Sequence, residues 1–245
     1  MKSYEFKQLH DAEQSYWWHV GRLIIIKKQL QQLIKAGLPK NAKILNIGAG
    51  TGGTIATLEG FGEVTNADIA STAITYLRQS GYRADRLNGI KLPYRDHEFD
   101  LIVGLDVLEH IERDDLALVE WCRVLKPNGY MMLTVPAYQW LWSAHDNVMA
   151  HFRRYSLRSL RQKVNKLPVH VYKASYMIVF SFPLIVTYRL IRRQRNHVNE
   201  TSFVRLPPPL NRLFIYFLSV EASLQTKLNF PFGSSVMIIA RKYRQ

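Results

Sequence analysis

The order of apolar and polar residues along the chain predicts helices that alternate with buried strands. Helical spacing of apolar residues predicts an amphipathic helix at 21–36, and the Gly37-Leu38-Pro39 sequence after it is typical of a helix end. The predicted strands are 43–47, 63–68, 101–105, 130–135, 170–176 and 235–241, and the later predicted helices begin near Gly53 or cover 72–80, 116–125 and 157–164. Ser71 is the expected N-cap of the helix at 72–80. Such alternation predicts an α/β protein with a parallel, doubly wound sheet.

The stretch 177–233 separates the last two predicted strands and is longer than a minimal α/β unit needs. Its first residues belong to an uncharged run, 174–188. Pro183 interrupts this run, which is shorter than the roughly 20 residues of a membrane-spanning helix. We therefore expect buried core or an interfacial segment, and the following arginines favour the interface: Arg189, Arg192, Arg193 and Arg195. Residues 1–176 and 234–245 are then one domain, and 177–233 is an apolar, basic insertion that faces the acceptor or a membrane.

The charge of the chain is concentrated in its C-terminal part. The chain has 33 Lys and Arg against 19 Asp and Glu, a net charge of +14. Residues 1–150 contain 16 basic and 17 acidic residues, whereas residues 151–245 contain 17 basic and 2 acidic residues. Clustered like charge indicates an anionic partner, either nucleic acid or a phospholipid or polyprenyl-phosphate surface. A solvated basic face that only keeps the protein in solution is the alternative.

The cysteine count and the N-terminus bear on the compartment. Cys122 is the only cysteine, which excludes an intramolecular disulfide and a cysteine-based zinc cage. The first residues lack the apolar core of a signal peptide, so we expect a cytoplasmic protein.

A glycine motif, Asn46-Ile-Gly48-Ala-Gly50-Thr-Gly52-Gly53, follows the first predicted strand and precedes a helix. The dinucleotide fingerprint G-x-G-x-x-G spaces its glycines by two and then three positions, whereas this motif spaces them by two and two. The spacing favours S-adenosylmethionine (SAM) over NAD. Asp68 closes the next predicted strand, where a carboxylate can accept both hydroxyls of a ribose. An ordinary glycine turn followed by a strand-end aspartate is the plainer alternative.

Further blocks resemble the class I SAM-dependent methyltransferases of the type 11 kind over about residues 40–140. They are Leu92-Pro93-Tyr94, the stretch 99–111 that contains Asp106-Val107-Leu108-Glu109-His110, and 123–130 with Lys126-Pro127-Asn128-Gly129. The resemblance implies a Rossmann-like, seven-stranded sheet in the order 3-2-1-4-5-7-6, parallel except for one reversed strand, with 177–233 as a helical insertion before the last strand.

The same resemblance implies roles for individual residues. Gly48, Gly50 and Gly52 flank the methionine moiety, Asp68 holds the ribose, Asn88 faces the adenine amino group, and Asp106 lies beside the sulfonium. Asn46 and Asn88 stand where the family usually has acidic residues; each keeps an acceptor oxygen and removes a charge, which affects cofactor affinity.

Two other blocks resemble a narrower subset of that family, Tyr16-Trp17-Trp18-His19-Val20-Gly21-Arg22 and His151-Phe152-Arg153-Arg154-Tyr155-Ser156. Members of this subset are often bacterial, and the resemblance implies an association with cell-envelope glycan or lipid modification. The resemblance implies that Arg22 pairs with the SAM carboxylate, for which a bidentate guanidinium is suited. A solvent-exposed arginine at a helix start is the alternative.

The loops that leave the carboxyl ends of the later strands should face the transferred methyl group. Among them, His110, His145 and His151 are candidates to remove a proton from the acceptor, because histidine titrates near neutral pH. Asp146 joins this candidate set, although an Asp146–His151 hydrogen bond that merely fixes the loop is equally consistent with the sequence. No metal site is expected, because the sequence contains no H-x-x-x-H or carboxylate cluster.

These observations predict a SAM-dependent methyltransferase that acts on an acceptor at an anionic surface, a lipid-linked or cell-envelope glycan, with the protein peripheral on the inner face of the membrane. An RNA methyltransferase is the second hypothesis, because a pI of 9.9 suits a phosphate backbone. The aromatic, apolar character of the insertion makes nucleic acid the weaker partner. A SAM-fold binding protein without catalysis is the third.

Overall fold

The computed structural model describes residues 10, 13–193 and 206–244, without the side chains of residues 188 and 190–193. Its strands are β1 (Ala42–Ile47), β2 (Gly62–Asp68), β3 (Ala84–Arg86), β4 (Phe99–Leu105), β5 (Leu125–Pro136), β6 (Val169–Met177) and β7 (Ser235–Lys242). Its helices are α1 (Trp17–Lys35), α2 (Ile55–Glu59), α3 (Ser71–Gln79), α4 (Asp114–Val124), α5 (Ala144–Val148), α6 (Leu157–Val164), α7 (Phe182–Arg193) and α8 (Pro208–Gln225).

The seven strands form one sheet in the order β3-β2-β1-β4-β5-β7-β6. The strands from β1 to β5 pair in parallel, and β7 runs antiparallel to both β5 and β6. This confirms the expected fold and strand order. The three residues of β3 are too few to show a periodic pattern, which is why the sequence did not reveal this strand.

The sheet is covered on both faces, as a parallel sheet requires. Alternate residues of the central strands enter different clusters: Leu45 and Ile102 pack with Trp121 of α4 on one face, and Ile44 and Leu101 lie on the other. The second face also receives α1 and α8. The carboxyl ends of the parallel strands therefore open between two packed helical layers.

Two helix starts differ from the expectation. Helix α1 begins at Trp17, whose ring centroid lies 5.0 Å from that of Phe214 on α8. The backbone N–H of Trp17 donates to Asn211 Oδ1 at 2.9 Å. These contacts come from the insertion, so the local periodicity could not supply them. The prediction that Ser71 is an N-cap is wrong: Ser71 is the first residue of α3, and the preceding Ala70 makes no side-chain cap.

The insertion is partly core and partly surface. Leu218 of α8 lies so close to Gly21 of α1 that a Cβ on the glycine would come within 2.1 Å of Leu218 Cδ1. Glu221 of α8 is buried and accepts hydrogen bonds from the backbone N–H groups of Ile178 and Val179. Where the chain is described, no helix is long and apolar enough to cross a membrane.

The arginines expected at an interface have different outcomes. Arg189 is largely buried, donates to the Leu141 carbonyl and lies 3.5 Å from Asp146, so its assignment to a free interfacial surface is wrong. Arg195 lies outside the described residues, and nothing is described of the side chains of Arg192 and Arg193. The Asp146 carboxylate is fully buried, and a buried charge needs a partner of opposite charge, which explains why Arg189 lies against it.

Candidate active site

The glycine turn joins the end of β1 to α2 and leaves its backbone open. Gly48 has φ +73°, and a Cβ there would lie 2.1 Å from Val107 Cγ2. Gly52 has φ +83°, and a Cβ there would lie 2.9 Å from Leu77 Cδ2. Left-handed backbone and close neighbours together require glycine at both positions. The predicted turn is thus found at the carboxyl edge of the sheet, with Gly50 between the two.

Asp68 at the end of β2 is tied to this turn. Its Oδ2 accepts a hydrogen bond from the Gly50 N–H at 2.9 Å, and its Oδ1 accepts one from the Ala70 N–H at 2.8 Å. Each carboxylate oxygen retains a further lone pair, so both can still accept a hydroxyl. The backbone bonds hold the carboxylate in one orientation beside the turn, as a ribose-binding group requires.

Asn46 lines the cavity at the glycine turn, but its amide points into the sheet. The amide donates to Asn66 Oδ1 at 2.9 Å and to Thr54 Oγ1 at 3.4 Å. The side chain is buried and so joins β1 to β2 under the turn. The Asn46 amide therefore stabilises the strand end and the residues that follow the glycine turn.

Asn88 lies in a second pocket, beyond Asp68. The lining residues are Ile69, Arg86, Leu87, Asn88, Lys91, Leu92 and Pro93. Asn88 Oδ1 accepts hydrogen bonds from the backbone N–H groups of Ile90 and Lys91, both at 3.1 Å. Because both lone pairs of this oxygen are used, the expectation that it accepts a hydrogen bond from an adenine amino group is wrong. The amide nitrogen of Asn88 is a donor only and suits an acceptor atom of a base instead.

Arg22 and Asp106 meet at the opposite side of the turn. The Arg22 Nη1 lies 2.7 Å from Asp106 Oδ2, Arg22 Nη2 donates to Thr134 Oγ1 at 3.0 Å, and that hydroxyl donates to Asp106 Oδ1 at 3.1 Å. The Arg22 side chain is 12% exposed, so it is not the solvent-exposed arginine of the alternative interpretation. The guanidinium also lies over the Trp18 ring. Helix α1 is thereby joined to the ends of β4 and β5.

Residues near the N-terminus cover the glycine turn. Glu13 accepts a hydrogen bond from the Thr51 hydroxyl, and a Cβ at Gly53 would lie 2.3 Å from Glu13 Oε2. Burial raises the pKa of the Glu13 carboxyl. His19 lines the same cavity, and burial together with the Arg22 charge lowers its pKa to about 4. The sequence offered no signal for these contacts, because they depend on how the first residues fold over the turn.

On the acceptor side, Asp146 is the centre of a buried network. Its Oδ1 accepts hydrogen bonds from His151 Nδ1 at 2.9 Å and from Arg154 Nε at 2.7 Å, and its Oδ2 accepts one from the Ser143 N–H at 2.9 Å. Burial disfavours the charged carboxylate, but the His151 hydrogen bond and the Arg154 charge outweigh it and hold the pKa of Asp146 well below its usual range. The loop between β5 and α6 is fixed by this group, with His151 held in one orientation.

The three candidate histidines lie near one another. The ring centroid of His151 is 4.6 Å from that of His110 and 6.4 Å from that of His145. Burial, with the His151 charge, lowers the pKa of His110, and burial, with the Arg189 charge, lowers the pKa of His145 to about 4. His110 and His145 are therefore neutral at pH 7, and each is a weaker proton acceptor than a solvent-exposed imidazole.

Glu109 is a residue that sequence reasoning missed. It lies beside His110 in a short 3-10 turn after β4, is 1% exposed, and its Oε2 has no hydrogen-bond partner among the described residues. Burial and the nearby Asp106 charge raise the pKa of Glu109 well above its usual range. The predicted cofactor residues other than Arg22 and Asn88 thus lie at the ends of β1, β2 and β4, and the predicted acceptor residues lie in the segments that follow β4 and β5.

Comparison with known proteins matches residues 45–133 to the family model described as a methyltransferase domain. The chain is similar to the ubiquinone/menaquinone biosynthesis C-methyltransferase UbiE of Psychromonas ingrahamii, with 31% identity over 126 residues that cover 45% of this chain and 50% of that protein. It is also similar to the malonyl-[acyl-carrier protein] O-methyltransferase of Methylococcus capsulatus, with 28% identity over 54% of each chain. The chain thus spans about half the length of the curated relatives it matches.

A solved structure shares the fold over most of the chain. A SAM-dependent methyltransferase from Archaeoglobus fulgidus aligns with a TM-score of 0.57 and 14% identity, over 89% of this chain and 93% of that one. At this identity the likeness concerns the fold alone. The matched stretch 45–133 contains the glycine turn, Asp68, Asn88 and Asp106, and it ends before His145, Asp146 and His151.

Proposed function

The chain belongs to the class I SAM-dependent methyltransferases, and we propose that it transfers a methyl group from SAM to an acceptor held at an anionic lipid surface, a lipid-linked or cell-envelope glycan. The cofactor would lie across the glycine turn, with its ribose on Asp68, its base near Asn88 and its methionine end near Arg22. The acceptor would enter from the side of the loop between β5 and α6.

One observation carries the cofactor assignment. The Gly50 N–H donates to Asp68 Oδ2, which couples the open turn after β1 to the carboxylate after β2. The turn follows β1, which pairs with β4, and Asp68 ends β2 on the other side of β1. The crossovers that follow β1 and β4 leave the sheet in opposite directions, and ligands of doubly wound sheets bind at such a point. Backbone for the methionine moiety and a carboxylate for the ribose are thus presented together.

The chemistry required of the protein is modest. A nucleophilic oxygen or other atom of the acceptor attacks the methyl carbon in line with sulfur, the carbon–sulfur bond breaks, and S-adenosylhomocysteine leaves. An acceptor hydroxyl must also lose a proton. His151 is suited to receive it at Nε2 because Asp146 holds Nδ1, while His110 and His145 are neutral neighbours.

The surface of the insertion supports the lipid assignment. Helix α8 exposes an apolar face with Leu213, Tyr216 and Phe217, and Tyr216 is 62% exposed. The exposed Arg212 and Lys227 lie at the two ends of this helix. An apolar face flanked by cations is suited to the boundary between lipid headgroups and acyl chains. A groove that reads nucleic acid would instead present polar side chains to base edges.

The test combines cofactor binding with transfer. We expect calorimetry to detect SAM and S-adenosylhomocysteine but not NAD. Incubation with methyl-labelled SAM and extracts of membrane lipids, glycans and RNA should then label the lipid or glycan fraction, with a product heavier by one methylene unit. Label in RNA alone would support the second hypothesis, and SAM binding without label in any extract would support a non-catalytic protein.

A further inference from the structure

Two segments bring a carboxylate and two imidazoles together beside the end of β4. Glu109 and His110 lie in the 3-10 turn that follows β4, and His151 lies in the loop between α5 and α6. Ligand atoms of these three residues all lie within 4.8 Å of one another. The two loops are joined directly, because the Phe152 N–H donates to the Glu109 carbonyl at 2.8 Å.

Glu109 is in an unusual state for a carboxyl group. Its side chain is buried, and its Oε2 makes no hydrogen bond within the described part of the chain. Leaving a buried polar oxygen without a partner costs free energy that most proteins avoid. The nearby imidazoles of His110 and His151 do not supply the missing partner. A positive ligand between the three groups would do so.

His151 is oriented as a metal-ligating imidazole is. Asp146 accepts the hydrogen bond from His151 Nδ1 at 2.9 Å, which leaves Nε2 as the free nitrogen. A carboxylate or carbonyl on the distal nitrogen fixes the tautomer of a ligating imidazole and raises its basicity. The His110 ring lies beside this imidazole, with 4.6 Å between the two ring centroids. The His151 ring therefore has one fixed nitrogen and one available lone pair, and His110 is close enough to share a ligand with it.

We propose that Glu109, His110 and His151 bind a divalent transition-metal cation. Two imidazoles and one carboxylate are the donor set of catalytic zinc sites and of other sites with open coordination positions, whereas Mg²⁺ and Ca²⁺ prefer oxygen donors. The expectation of no metal site rested on the lack of an H-x-x-x-H motif or a carboxylate cluster in the sequence. His151 instead comes from a different loop, and only the fold places it against the other two.

The site adjoins the proposed methyl-transfer position. Asp106 lies between β4 and the 3-10 turn that holds Glu109 and His110, and its carboxylate is paired with Arg22, which lines the cavity at the glycine turn. If the proposed function holds, the cation would bind an acceptor hydroxyl oxygen and lower its pKa. His151 Nε2 would then be a metal ligand, and this role would replace the proton transfer to His151 that applies without a cation. The hydroxyl proton would leave to solvent, the oxygen would bond to the methyl carbon, and the carbon–sulfur bond would break.

The experiment measures cation binding without methyl transfer. The full chain is freed of metal with a chelator and titrated with Zn²⁺ in a calorimeter, and Co²⁺ binding is followed by visible absorption. We expect one binding equivalent, at least tenfold weaker in Glu109→Gln and in His151→Gln, consistent with the loss of a ligand. His145→Gln is the matched control, because this histidine is near His151 but outside the group of three, and its affinity should be unchanged.

Thermal unfolding of each metal-free variant establishes that it is folded, and SAM calorimetry on the same samples separates this proposal from the proposed function. SAM binding without specific Zn²⁺ binding would overturn the cation site alone. Zn²⁺ binding of equal strength in the wild type, Glu109→Gln and His151→Gln would also overturn it, since the cation would then lie elsewhere. Weaker Zn²⁺ binding confined to Glu109→Gln and His151→Gln would establish the site even if SAM did not bind.

Discussion

The Arg22 guanidinium lies 2.7 Å from the Asp106 carboxylate, and the Thr134 hydroxyl is hydrogen-bonded to both. Arg22 is on α1, Asp106 follows β4 and Thr134 is on β5, so this group fastens the leading helix over the carboxyl edge of the sheet. The same guanidinium is the candidate partner of the SAM carboxylate. A bound cofactor and Asp106 would then share one cation, which couples the seating of α1 to the occupation of the site.

We predict that Arg22 and Asp106 are energetically coupled. Arg22→Met should lower the free energy of unfolding by about 1 to 3 kcal/mol, because it leaves a largely buried carboxylate without its charged partner. Adding Asp106→Asn should cost less than the sum of the single changes in a urea-unfolding double-mutant cycle. The exposed pair Arg113 and Asp115, 3.3 Å apart, is the control, and Arg113→Met should cost less than about 1 kcal/mol. Additive effects at Arg22 and Asp106 would contradict the coupling.

Asp68→Ala should weaken SAM binding more than tenfold. The substitution removes two hydrogen bonds from ribose hydroxyls to a charged acceptor, each worth about 1.5 to 3 kcal/mol. Glu63→Ala provides a carboxylate control on the same strand, because Glu63 lies near the start of β2, exposed and 3.9 Å from Arg83. Calorimetry with SAM compares the two variants. Equal affinities in Asp68→Ala and Glu63→Ala would remove Asp68 from the cofactor site.

The parts of this site that the sequence revealed are each marked by a short local pattern in the chain. The turn from Gly48 to Gly52 follows an apolar run and precedes a helix, and Asp68 ends the next apolar run, so strand and turn chemistry alone located both. The parallel sheet then brings strand ends to one edge. Because the carboxyl ends of parallel strands lie at one edge, the predicted cofactor-side residues other than Arg22 lie at or near that edge of the sheet.

The contacts that the sequence did not reveal join segments that are distant in the chain. Nothing local indicates that Glu13 covers Thr51, that Thr134 completes the Arg22 pair, or that Glu109 meets His151. Each depends on the packing of one loop or helix against another. The Asp146–His151 hydrogen bond was the exception, because both residues lie in one short loop where such a bond is a local possibility.

The protein should lose stability as the pH falls from about 6.5 towards 4. Burial and the Arg189 charge lower the pKa of His145 to about 4, against 6.5 for the unfolded chain. Below pH 6.5 the unfolded state therefore binds a proton that the folded state does not, and stability falls with pH until His145 is protonated in both states. His19, with a pKa also near 4, acts in the same window.

For His145 alone, the loss is up to about 3 kcal/mol. Urea unfolding at pH 7 and pH 4.5 measures it, with His145→Gln as the comparison. The variant should show a smaller difference between the two pH values than the wild type. An identical difference in both proteins would show that His145 takes up its proton equally in the folded and unfolded states.

The exposed face of α8 should bind acidic vesicles. Leu213, Tyr216 and Phe217 lie on this face, and insertion of their side chains among acyl chains would add to the attraction of about 1 kcal/mol per basic residue near an anionic surface. In co-sedimentation, the protein should bind vesicles of phosphatidylcholine with phosphatidylglycerol and not vesicles of phosphatidylcholine alone. Binding should weaken as salt shortens the Debye length to about 3 Å at 1 M.

Replacing Leu213, Tyr216 and Phe217 by Ser should abolish vesicle binding, whereas replacing the exposed Leu116 and Val119 of α4 by Ser should not. Equal loss in both variants, or binding to RNA with a steep salt dependence and none to acidic vesicles, would refute lipid docking through α8.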